Sequence, residues 1–251
     1  MKTHWATVVV KTFQFAAVGS LLLAGASFAD VRTWDGGVLF GGSWNSASNW
    51  SSNTVPSASG TSVFSNSNNG KTTIGFTSGA TSIGDIRFLS NAPAFTFNEV
   101  AFTFNITGGG ITNSSTNTQT FNATLTGKIN FSGAATAGTN TVFNNTGGST
   151  TFSGSSSAAN ATIKNSLGGF TAFKDAATAG SAIITSGSLG ALTFNGTSSG
   201  GTAVITNSLG GATTFNDFSN AGSATIINNF RHPDLVLTGL RRSESNLAYF
   251  F

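Results

Sequence analysis

Asn207-Ser208-Leu209-Gly210-Gly211-Ala212-Thr213-Thr214-Phe215, followed after a short turn by Ala221-Gly222-Ser223-Ala224-Thr225-Ile226, decides how this chain folds. Two β-branched runs, one ending in Phe215 and one centred on Ile226, are separated by small turn-forming residues. That is the pattern of two short strands joined by tight turns. The plan recurs upstream every 21 residues, with phenylalanine at Phe131, Phe152, Phe173, Phe194 and Phe215. Eleven residues after each comes an aliphatic residue: Val142, Ile163, Ile184, Ile205 and Ile226. Seven residues after each comes Gly138, Ala159, Gly180, Gly201 or Gly222. Asn144, Asn165, Asn207 and Asn228 share one register, which Ser186 interrupts. A fixed period of this kind marks a stack of similar units.

Twenty-one residues are too few for a helix–turn–helix unit, and Gly-Gly beside β-branched residues disfavours helix. The expected fold is all-β: a right-handed parallel β-helix, or solenoid, with 21-residue coils and an N-terminal Trp-containing cap. Coils stack about 4.8 Å apart, so equivalent residues lie over one another. The Phe and Ile/Val columns should point inward, and the Asn column should form an amide ladder at a bend. The Gly/Ala column should mark a turn that a larger side chain would crowd. About ten coils would give a rod roughly 45–50 Å long.

Five segments are expected. Residues 1–29 read as a signal peptide, with Lys2 and Lys11, a largely apolar stretch from Phe13 to Ala24, and Ser27-Phe28-Ala29 before a cleavage point at Asp30. The alternative, an uncleaved anchor, has an apolar run short of the roughly 20 residues a spanning helix needs. Residues 30–60 hold Trp34, Trp44 and Trp50, either as a cap over the first coil or as a stacking surface for sugar rings. Residues 61–130 read as irregular coils and 131–230 as the regular repeats. The period breaks at Phe230, and 231–251 is an atypical tail, either a C-terminal cap or the product of a shifted reading frame.

Charged residues make up 8% of the chain, against about 25% in ordinary globular domains. Between Asp30 and Phe230 six Lys/Arg balance six Asp/Glu, so no basic patch suits nucleic acid. There is no cysteine, which leaves stacking as the source of stability in an exported chain. His4 and His232 both lie outside the repeat body, so the body holds no Ser-His-Asp triad and no His-based zinc site. Gly108-Gly109-Gly110 lacks the Lys of a phosphate loop. One acidic pair stands out: Asp175 and Asp217, two coils apart, or about 9–10 Å between backbones. An inverting glycosidase separates its carboxylates by about 6.5–9.5 Å. Gly196 lies between them, however, and no His, Tyr or Arg falls in register to assist. No catalytic, cofactor-binding or metal-binding residue is therefore expected, and no enzymatic activity.

Gly210-Gly211-Ala212-Thr213-Thr214-Phe215 and Ala221-Gly222-Ser223-Ala224-Thr225-Ile226 resemble the autotransporter-associated β-strand repeat. The opening, with Trp34-Asp35-Gly36-Gly37, Asn49-Trp50 and Pro56, is similar to the start of large exported proteins of that group. The resemblance covers about residues 32–229 and implies a secreted or surface-displayed passenger-type β-helix. Such proteins end in a membrane barrel of many alternating strands. No such strands follow Phe230, so a fragment or a relative of a larger repeat protein is expected. The expected function is structural or adhesive. The alternatives are a carbohydrate-binding module and a polysaccharide-degrading β-helix. Candidate partners are extracellular or cell-surface polysaccharide and further copies of the chain.

Overall fold

The computed structural model describes residues 30–37 and 42–229. The expected signal peptide and the tail after Phe230 lie outside the described residues. Among the described residues seventeen strands, numbered in chain order, form two parallel sheets. The first sheet contains β1 (Val31–Thr33), β2 (Thr61–Phe64), β4 (Thr81–Phe88), β6 (Thr103–Asn113), β8 (Lys128–Phe131), β10 (Ser149–Phe152), β12 (Phe170–Phe173), β14 (Ala191–Phe194) and β16 (Ala212–Phe215), in that spatial order. The second contains β3 (Thr73–Gly75), β5 (Thr96–Glu99), β7 (Gln119–Thr124), β9 (Thr141–Thr146), β11 (Thr162–Ser166), β13 (Ile183–Ser186), β15 (Val204–Ser208) and β17 (Thr225–Asn229). Strands pair in parallel with the equivalent strand of the adjacent coil and, apart from β1 with β2, skip their neighbour in sequence, which defines a parallel β-solenoid. A third, one-residue ladder runs Gly110, Thr136, Ser157, Thr178, Ser199, Asn220 along the turn between the sheets. Nine strands in the larger sheet give a stack of about 38 Å at normal strand spacing, shorter than the ten-coil estimate.

The Phe column lies inside, as its spacing predicts. Phe131, Phe152, Phe173 and Phe194 are fully buried. Successive rings from Phe131 to Phe215 stack with centroids 4.6–4.9 Å apart and planes within 10°. Offset stacking of this kind adds about 0.5–1.5 kcal/mol per pair beyond area burial. The second inward column differs from expectation in one coil. It runs Ile74, Phe97, Phe121, Phe143, Ile163, Ile184, Ile205, Ile226. Phe143, not Val142, occupies the inward site, and Val142 pairs with Thr162 on the outside. The Asn register moves with it: Asn145, not Asn144, aligns with Asn165.

Two offsetting changes of length explain the shift. From the turn ladder to the inward residue is seven positions in this coil (Thr136 to Phe143) and six in the next (Ser157 to Ile163). The following turn is one residue shorter, from Asn145 to Ser149 against Asn165 to Phe170. The sum stays at 21, so the phenylalanine spacing conceals both changes.

The irregular coils belong to the same columns with longer loops. From Ile74 to Phe97 is 23 residues and from Phe97 to Phe121 is 24. Strand β6 serves two faces: Thr103–Ile106 pairs with β8, and Gly110 then bridges Thr136 in the turn ladder. Gly110 sits at φ +95°, and a Cβ there would lie 2.1 Å from the Thr136 carbonyl oxygen. Only glycine lets the strand bend this close to the next coil.

At the N-terminal end Trp34, Trp44 and Trp50 are fully buried. Trp50 packs edge-on against both others, at 5.1 and 4.8 Å, and against Phe64 at 5.8 Å. The Trp34 indole N–H donates to the Lys71 carbonyl and that of Trp50 to the Trp44 carbonyl.

Candidate functional surface

The interior shows what the side chains are engaged in before any are assigned to function. Asn145, Asn165 and Asn207 point inward and are almost completely buried. The Asn145 amide donates to Asn165 Oδ1 at 2.9 Å, Asn165 to Ser186 Oγ at 3.3 Å, and Asn207 to Asn228 Oδ1 at 2.9 Å. At these three asparagines an inward threonine, buried at 150 and 171 and partly buried at 213, completes the site. Thr150, Thr171 and Thr213 donate to Asn145, Asn165 and Asn207 respectively, each at 2.8 Å. Where the Asn becomes Ser186, the threonine position becomes Leu192. One coil before the ladder begins, Ala123 and Ile129 hold the two positions. The pair changes together because either polar partner alone would bury an unsatisfied group.

Glu99 stands two coils above Asn145 in the same column. It is buried, accepts the Phe102 N–H on Oε1 at 2.8 Å, and leaves Oε2 without a partner. Burial raises its pKa above 4.5 against the lowering effect of the Phe102 and Ala101 N–H groups.

Asp175 and Asp217 are turn residues at φ +56° and +57°. They alternate with glycine in one column: Gly133, Gly154, Asp175, Gly196, Asp217. Asp175 Oδ2 accepts the Gly154 N–H and Asp217 Oδ2 accepts the Gly196 N–H, each at 2.9 Å. Each carboxylate thus ties its turn to the preceding coil. Sequence spacing placed the two residues in one column, but not in the left-handed conformation that aims both carboxylates along the stack. Among the described residues no group of three His, Cys, Asp or Glu could hold a metal ion.

The outer face of the second sheet carries a different feature. Asn98, Asn122 and Asn144 form an external amide ladder, with Asn122 donating to Asn98 at 2.8 Å and Asn144 to Asn122 at 2.9 Å. Shorter ladders join Asn105 to Asn130 and Asn195 to Asn216. The sequence signal for the longest was present in the Asn-rich strands, but the 24- and 22-residue steps between its members hid their alignment.

Comparison with protein-family models, with curated proteins and with solved structures finds no match. The chain is a parallel β-solenoid by its own topology, and its resemblance to the autotransporter-associated repeat rests on the residues quoted above.

Proposed function

We propose that this chain is an exported structural or adhesive rod whose neutral ladder faces hold extracellular or cell-surface polysaccharide. The observation that carries the proposal is the external ladder of Asn98, Asn122 and Asn144. An amide offers two N–H donors and two acceptor lone pairs. A ladder bond uses one of each, which leaves a donor and an acceptor on every step. Such groups recur at about 4.8 Å, and a repetitive polyhydroxylated chain can meet several at once, so weak contacts add through multivalency. A platform of Trp34, Trp44 and Trp50 has no place in this reading, because their rings are buried. Asp175 and Asp217 receive no catalytic role, because their carboxylates serve the turns. Export is supported by the charged and apolar pattern of residues 1–29.

Two measurements test the proposal. The full chain, expressed in a bacterial host, should be recovered outside the cytoplasm with Asp30 at its N-terminus; cytoplasmic protein retaining Met1 would contradict export. Co-sedimentation with insoluble polysaccharides should show binding that Asn98→Ala/Asn122→Ala/Asn144→Ala loses while the protein stays folded. Failure of the unaltered protein to bind any of them, or unchanged binding by the triple variant, removes the adhesive role assigned to this ladder.

A further inference from the structure

We infer that one corner of the solenoid is a contact surface for a second copy of this chain. The corner lies where the second sheet turns into the first. It presents Leu125, Leu167, Leu189 and Leu209, which are 69, 70, 75 and 77% exposed. Phe170, 41% exposed, follows Leu167 just past its turn. All four leucines have positive φ, between +50° and +64°.

Leucine is a poor choice for these turns. In all four the N–H of the fourth residue bonds the carbonyl of the first: Gly127 to Thr124, Gly169 to Ser166, Gly190 to Gly187 and Gly211 to Ser208. In the last three both central residues have positive φ: Leu167-Gly168, Ser188-Leu189 and Leu209-Gly210. Turns of this type select Asn-Gly or Gly-Gly, because a branched side chain is strained in the left-handed region. The chain uses Asn in that region elsewhere, at Asn53, Asn69 and Asn140. Leucine here both strains the backbone and leaves apolar surface in water, and it does so in four turns of one corner. The fold gains nothing from it, so the gain lies outside the fold.

A second copy is the occupant that the surface fits. The turns at 124–127, 146–148, 166–169, 187–190 and 208–211 contain no charged residue, so they select no charged partner. The ridge spans four coil steps, about 19 Å. With the flanking residues it would bury roughly 400 Å² per copy, below what a stable dimer needs and in the range of weak reversible contacts. Another copy carries the same teeth at the same spacing, so the two ridges stay in step along their length. A two-fold pairing of one patch with itself also closes without growing into a fibre.

Sedimentation velocity on the full chain tests this. The sedimentation coefficient should rise with concentration toward that of a dimer. Leu167→Asn/Leu189→Gly/Leu209→Asn should weaken association by about tenfold or more, with a melting temperature equal to or above that of the unaltered protein. Phe218→Asn, which removes another exposed apolar residue (75%) away from this corner, should leave association intact. A chain that stays monomeric at all concentrations would overturn the inference. So would a triple variant that associates as before or melts lower, or a loss of association on changing Phe218.

Discussion

Ser156 carries a hydroxyl that its coil does not use. The side chain is fully buried and Oγ has no partner. Equivalent residues one turn ladder further on are Ala177, Ser198 and Ser219. Ser198 and Ser219 donate to the carbonyls of Phe173 and Phe194. The corresponding acceptor for Ser156, the Phe131 carbonyl, already receives both the N–H and the hydroxyl of Ser153. Ser156→Ala should therefore stabilise the protein by about 1 kcal/mol, seen as a higher denaturant midpoint with unchanged slope. Glu99 is the ionisable counterpart. Its folded-state pKa is raised by burial, so the protonated form is favoured by folding. That contribution is complete below the unfolded value of about 4.5 and is lost as pH rises through the higher folded value. Glu99→Gln should match the unaltered protein in acid and exceed its stability at pH 7. Thermal melts of both proteins across that pH range measure the difference; an unchanged gap at every pH would contradict it.

The inward Asn–Thr pair ties the two sheets together in three of the regular coils. Asn165→Ala would orphan the Thr171 hydroxyl and remove the bonds to Ser186 and the Ala191 carbonyl, at a cost of about 2–4 kcal/mol. Adding Thr171→Val should restore part of the loss, so a double-mutant cycle should show coupling of about 1 kcal/mol or more. Additive costs would mean that the pair is not a unit. The inward Phe column was legible in the sequence because its strands are rigid and its period never varies from 131 to 215. Val142 was misplaced because an added residue before β9 and a shortened turn after it cancel within one period. The upper coils were illegible as columns for the same reason, since loops vary in length while strands must still align. The polar pair was half legible: the Asn turn repeats visibly, but its Thr partner lies in the next strand and is recognised only once both strands face one core.

The whole molecule is a stack in which each coil contacts its neighbours, so its stability is a sum of coil and interface contributions. The central claim is that the 21-residue period and its longer variants all translate into one constant rise. The outward column Thr96, Thr120, Val142, Thr162, Ile183, Val204, Thr225 provides a ruler. The absence of cysteine allows pairs of introduced cysteines to be spin-labelled without background. Labels at Thr96 with Ile183, Val204 or Thr225 are four, five and six coil steps apart. Pulsed electron–electron distance measurements should give separations that grow by about 4.8 Å for each added coil, from about 19 to about 29 Å between backbones. Separations that fail to rise in equal steps, or that fall as residues are added, would contradict the stacked parallel solenoid.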